Sequence, residues 1–171
     1  MVDEAPDAIT LLKTDHREVE ELFKKFEDTK TAPAKRKVAE KIATALIVHT
    51  RIENEIFYPA CKGKVEEADL KEAYVEHDAA NLLIAEILES GKGDEFYDAK
   101  VKVLQEEIEH HVKEEERWLT GIFSQAKRHG LDVEGLGVEL QKAKTRYEAE
   151  IAEDGPEIHL AALKKTKLAT A

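Results

Sequence analysis

Two stretches of this chain repeat each other, and the repeat carries polar residues where an apolar stripe is expected. Ile42 matches Leu104, Leu46 matches Ile108, His49 matches His111, Glu53 matches Glu115 and Phe57 matches Leu119, all at one offset. At an offset one residue shorter, His16 matches His77, Val19 matches Ala80, Leu22 matches Leu83, Phe23 matches Ile84 and Phe26 matches Ile87. A duplication constrains a fold more tightly than composition does, because each copy must bury its apolar stripe against the other. The unit is a helical hairpin that reads His, then His-x-x-x-Glu.

Residues four apart lie one above the other on a helix, so each His-x-x-x-Glu presents an imidazole and a carboxylate to one point. His49 and Glu53 continue the stripe of Ile42 and Leu46, and His111 and Glu115 continue that of Leu104 and Ile108; all four belong inside. Burying such groups unpaired costs at least ~2 kcal/mol each, against a net stability of about 5 to 15 kcal/mol for a domain. Something must compensate His16, His49, Glu53, His77, His111 and Glu115. Divalent metal ions do so directly, and a carboxylate lying between two of them can bridge them. Two histidines and one glutamate per half make the inventory of a dinuclear site with open coordination positions. The competing expectation is a metal-free structural bundle in which these groups satisfy one another. Taken singly, His16 or His77 reads as a core histidine, and any of Glu114, Glu115 and Glu116 as a solvated face.

Periodicity and punctuation predict five helices: about 7–29 with Asp7 as N-cap, 31–59 ending at Pro59, 65–89, 94–129 capped by Asp94 and closed by Gly130, and 132–153. Short loops between the first four predict an all-α, up-down-up-down antiparallel four-helix bundle, with an extra C-terminal helix packed outside it. The 171 residues are expected to form a single domain, with the bundle core over about 7–130 and the C-terminal helix and tail over about 131–171. His110 falls off the apolar stripe and reads as exposed or as a supporting group. His129 and His159 receive no chemistry, and Trp118 reads as packing or a bundle-edge residue. Tyr58, Tyr74 and Tyr97 are candidates for hydrogen bonds to the site, Tyr74 foremost because it lies one turn before His77.

Together, His16 in Thr-Asp-His-Arg-Glu-Val-Glu-Glu-Leu-Phe, His49-x-x-x-Glu53 followed by Ile-Phe-Tyr-Pro, Glu76-His77, and His110-His111-x-x-x-Glu115 resemble the hemerythrin-like family with its histidine/histidine/glutamate (HHE) cation-binding motif, over about 7–125. The resemblance implies a bundle with a non-haem di-iron centre, oxo- or hydroxo-bridged. One iron would be held by His16 and His49 and the other by His77 and His111, with Glu53 and Glu115 bridging. Oxygen carriers of the family place a second histidine on the third helix, where this chain has Ala73 and Asn81, and they use an aspartate in the fourth. Six protein ligands instead of seven leave positions open, which argues against reversible oxygen carriage. Ferritin-like sites use Glu-x-x-His on two helices; Glu107-x-x-His110, off the core face, is the one such pair.

A formal charge of −11 argues against nucleic acid or an anionic membrane as partner, and no apolar run approaches the ~20 residues of a membrane span. Cys61 is the single cysteine, so a reducing, cytoplasmic setting is the simplest expectation. Oxygen, peroxide or nitric oxide are the expected small ligands of a monomer or weak homo-oligomer acting in oxygen or peroxide handling or sensing, in defence against oxidative stress. A peroxide-consuming, catalase-like or oxygen-reducing enzyme is the alternative.

Overall fold

Apolar stripes at helical spacing fold here into an all-helical bundle. In the computed structural model, which describes residues 5–160, α1 spans Ala8–Asp28, α2 Ala32–Ile52, α3 Tyr58–Cys61, α4 Glu67–Glu89, α5 Tyr97–Glu116, α6 Ile122–Arg128 and α7 Val133–Asp154. A π-helical turn, Glu53–Phe57, joins α2 to α3. No strand occurs among the described residues. α1 packs on α2, α4 on α5 and α2 on α4, and the short connections within each pair make consecutive helices antiparallel. Phe23, Phe26, Ile42, Leu46, Ile84 and Leu104 fill the core, as their register predicts.

Local chemistry sets most boundaries. Asp7 caps α1, its Oδ1 accepting from the N–H groups of Ile9 and Thr10 at 3.0 Å each. Asp132 caps α7 through the N–H of Gly135. α7 lies across α1 and α2 as the expected outer helix. Gly137 permits its approach: a Cβ there would lie 2.2 Å from the Pro6 carbonyl oxygen. Residues 156–160 are helical, and the rest of the tail lies outside the described residues.

Three expectations need correction. The second helix does not stop at Pro59 but widens before it. Tyr58 N–H reaches back five residues to the Glu53 carbonyl, and this wider turn accommodates a proline that has no N–H to give and would clash with a carbonyl one α-turn back. The Asn54 carbonyl, five residues before Pro59, takes its hydrogen bond from the Tyr74 hydroxyl at 3.4 Å instead. The fourth helix is not continuous to His129; it breaks over residues 117–121, where Leu119 adopts a φ of +70°, and resumes as α6. Periodicity could not reveal this break, because Ile122 and Ala126 lie seven and eleven residues beyond Glu115, close to whole turns at ~3.6 residues per turn. The match of Phe57 with Leu119 fails for the same reason, Phe57 being fully buried and Leu119 half-exposed. Asp94 is not the helix cap either; it accepts from the Phe96 N–H in the turn before α5.

Candidate metal centre

His16 on α1, His49 on α2, Glu53 at the start of the π turn, His77 on α4, and His111 and Glu115 on α5 are all buried and converge at mid-bundle. Their potential ligand atoms form two groups, each within 4.8 Å: His16, His49, Glu53 and Glu115, and Glu53, His77 and His111. Within each histidine pair the Nε2 atoms are 3.1 Å apart. Glu53 Oε2 lies 3.1 Å from His49 Nε2 and 3.3 Å from His77 Nε2. Glu115 Oε2 lies 3.3 Å from His16 Nε2 and 3.5 Å from His111 Nε2. Each carboxylate therefore touches one histidine of each pair. The sequence grouping into two hairpins is preserved, and the carboxylates cross between the pairs.

The π turn adds a residue to this cluster. A wider turn brings Tyr58, five positions on, round to the face of Glu53. Its hydroxyl donates to Glu115 Oε1 at 2.8 Å and lies 3.4 Å from both Glu53 Oε2 and His77 Nε2. Tyr58, not Tyr74, is thus the tyrosine at the site; an unbroken α-helix would have turned it away. Phe123, brought back by the break after α5, stacks on His16 with ring centroids 5.8 Å apart.

A second feature escaped the sequence reading. Each imidazole's outer nitrogen is held by a residue adjacent in sequence to another helix's site residue. Asp15 on α1 faces His49 Nδ1 at 3.4 Å, and Asn54, next to Glu53, faces His77 Nδ1 at 2.8 Å. Glu76 on α4 faces His111 Nδ1 at 2.7 Å, and Glu116 on α5 faces His16 Nδ1 at 2.7 Å. The four contacts close a ring from α1 to α2 to α4 to α5 and back to α1. The ring is legible in the repeat, since Asp15 matches Glu76 and Asn54 matches Glu116 at the two offsets already found. α7 joins through Lys144, whose Nζ donates to Asp15 Oδ1 at 2.5 Å.

The ring decides what the centre can hold. The three carboxylates and the Asn54 side-chain oxygen that face Nδ1 accept a hydrogen bond from it, so that an imidazole in its neutral form points its Nε2 lone pair inward. Two such lone pairs 3.1 Å apart repel unless a cation or a proton lies between them. Glu53 Oε1 and Glu115 Oε2 are buried without a hydrogen-bond partner. Imidazole nitrogens and bare carboxylate oxygens aimed at one volume are placed for a metal ion, and the residues fit the group.

Without metal, protons and charge pairing supply the compensation. Burial pushes His49 down, but Glu53 and Asp15 outweigh it and raise its pKa to about 10. Burial pushes Glu53 up, and the His49 and His77 imidazoles hold it well below the usual carboxylate range. His77 is lowered by burial and by the neighbouring His111, whereas His111 is raised by Glu115 and Glu76 in spite of its burial. Burial and the two site carboxylates push Tyr58 well up. The metal-free centre therefore stores protons that a metal must displace.

His110 is exposed and lies 3.5 Å from Glu76, in keeping with its register. His129, which follows α6, donates its Nδ1 proton to the Lys64 carbonyl oxygen, away from the centre. His159 is buried against Arg51 rather than free in the tail. Trp118 is 83% exposed in the break and lies at the bundle edge. Tyr97 packs on Phe26, remote from the cluster. Ala73 and Asn81 are both buried on α4, where neither offers an imidazole. No helix among the described residues is long and apolar enough to cross a membrane.

Comparison with known proteins bears on the fold and the family. The crystal structure of a hemerythrin HHE cation binding domain-containing protein from Mycobacterium kansasii superposes with a TM-score of 0.76 at 19% sequence identity, covering 92% of this chain and 99% of that one. That likeness speaks to the fold. No curated protein matched the chain. The family model of the hemerythrin HHE cation binding domain matches residues 7–122, a span that ends just after the broken fourth helix and includes every residue of the cluster; the chain belongs to the hemerythrin HHE family.

Proposed function

We propose that the cluster holds two iron ions, His16 and His49 on one and His77 and His111 on the other, with Glu53 and Glu115 spanning both, and that the protein handles dioxygen or peroxide at this centre. The observation that carries the reading is the crossed contact of each carboxylate with one histidine from each pair, the arrangement a bridging ligand requires. Bound iron would supply the redox chemistry. The chain's own residues orient the imidazoles, exclude bulk water with Phe123 and Phe57, and hold a proton on the Tyr58 hydroxyl beside Glu115. Six histidine and glutamate ligands leave room for a small oxygen-derived guest, with the Tyr58 oxygen the nearest further donor on the His77 side. The buried thiol of Cys61, its pKa pushed up to about 12 by burial and by Glu115 and Glu53, is inert and suits a reducing cytoplasm.

Turnover of peroxide, as opposed to binding alone, is favoured by Tyr58, because its hydroxyl keeps its proton and supplies a hydrogen-bond donor inside the centre, at 2.8 Å from Glu115, without solvent. Metal analysis of untagged protein from iron-supplemented culture should give about two irons per chain, the stoichiometry of a dinuclear bundle site. Oxygen evolution or peroxide loss after peroxide is added to the loaded protein then separates turnover from binding. Folded protein carrying no stoichiometric metal would end the di-iron reading.

A further inference from the structure

The break in the fourth helix leaves an opening beside the centre. A cavity of about 110 Å³ runs between α4 and the end of α5, with His111, Glu115 and Ala73 at its buried end and Glu72, Arg117 and Thr120 at its exposed end. Asp69, Glu76 and Glu114, each half-buried, line the passage between them. Five carboxylates face the single Arg117, which pairs with Glu114, so the lining keeps a net negative charge. Glu115, 1% exposed, carries at the inner end a carboxylate oxygen, Oε2, without a hydrogen-bond partner.

Had α5 continued as a straight helix, residues 117–121 would have extended along α4 over this opening. Instead Leu119 turns at positive φ, and Gly121 folds back so closely that a Cβ on it would lie 2.4 Å from the Glu115 carbonyl oxygen. The opening thus begins at the turn that also returns Phe123 to His16, and both follow from one backbone feature. Low-dielectric walls lined by one sign of charge concentrate the opposite ion and raise its rate of arrival.

We propose that this cavity is the port through which a divalent metal cation enters the centre, drawn by Glu72 and Glu114 at its outer part and delivered to His111 and Glu115 at its inner end. The proposal rests on the cluster being a metal centre. Glu72 and Glu114 belong neither to the cluster nor to the ring that orients its histidines, so their removal tests entry separately from binding.

The experiment follows anaerobic uptake of ferrous ion by metal-free full-length protein in stopped flow, reading the change in Tyr58 and Trp118 fluorescence and checking the end point by metal analysis. Glu72→Gln combined with Glu114→Gln should slow uptake about three- to tenfold and flatten its dependence on ionic strength, with the final stoichiometry unchanged. Thr120→Trp, a plug at the exposed end, should slow uptake likewise. Glu89→Gln combined with Glu106→Gln, an equal loss of charge at exposed positions away from the port, should leave the rate as in the parent. Unchanged uptake in both port variants overturns the proposal. So does a port variant that loads normally and reacts more slowly with peroxide, which would make the cavity a route for the neutral guest. Parent protein that takes up no iron overturns the metal-centre reading itself, a result distinct from either.

Discussion

The Tyr58 hydroxyl donates to Glu115 Oε1 at 2.8 Å, joining the end of the first hairpin to the end of the second inside the centre. No other hydrogen bond to Glu115 Oε1 is present among the described residues, and both side chains are fully buried. Tyr58→Phe should therefore destabilise the metal-free protein by about 1–3 kcal/mol, the cost of stranding a buried acceptor. Urea unfolding of the metal-free pair measures it, and equal midpoints would show that Glu115 finds another donor.

Glu53→Ala removes the oxygens that reach both histidine pairs, so the purified variant should retain at most one metal per chain where the parent holds two. His110→Ala should retain the full complement, because His110 is 62% exposed and, among the described residues, pairs with Glu76 outside the cluster. Metal analysis of His110→Ala beside His111→Ala, which should lose metal, decides between this register and a rotated α5, in which the behaviour of those two variants would be exchanged.

The pH dependence of the metal-free protein follows from His49. Its folded pKa, about 10, lies above the ordinary histidine value of 6.5, so its contribution to stability is full below pH ~6.5 and disappears as pH rises through about 10. Glu53 acts in the other direction: held well below 4.5, it contributes above that value and loses its contribution as pH falls through its folded pKa. His77, lowered on folding, favours the folded state at higher pH and partly opposes His49. Thermal melts of metal-free protein should fall between pH 6.5 and 10 in the parent and lose part of that slope in His49→Gln, since His111, also raised on folding, acts in the same direction. A parent melting temperature that rises over this range would contradict the assignment.

Lys144 reaches the centre from α7 through Asp15, which in turn faces His49. Lys144→Met keeps the buried stem and removes the charge, leaving Asp15 with one partner. The variant should lose about 1–3 kcal/mol of stability and bind metal more weakly, with the imidazole of His49 less firmly held. Chelator competition gives the affinity; unchanged affinity would confine α7 to a packing role.

Gly121→Ala introduces a Cβ at 2.4 Å from the Glu115 carbonyl oxygen and 2.6 Å from Arg117 backbone atoms, neither of which is a flexible side-chain end. Overpacking of this kind costs about 1–3 kcal/mol, and the strain falls on the residue that carries a site carboxylate. Lower stability together with reduced metal retention is expected; lower stability with normal retention would show that the turn and the centre are mechanically separate.

The duplicated sequence by itself determined the bundle and the six residues at its centre, because helical periodicity is local: four-residue spacing places His49 with Glu53 and His111 with Glu115 whatever else the chain does. It also contained the ring of Asp15, Asn54, Glu76 and Glu116, legible once the match of neighbouring positions is extended by one residue. Only the tertiary structure decided that Tyr58 enters the centre, since a π turn rephases the helix and residue spacing assumes an α-helix throughout. It alone decided that α5 breaks after Glu116, because the faces before and after the break fall in phase and leave no trace in the pattern. The contact of Lys144 with Asp15, between residues 129 positions apart, belongs to the packing of α7 on α1, which no spacing along the chain encodes.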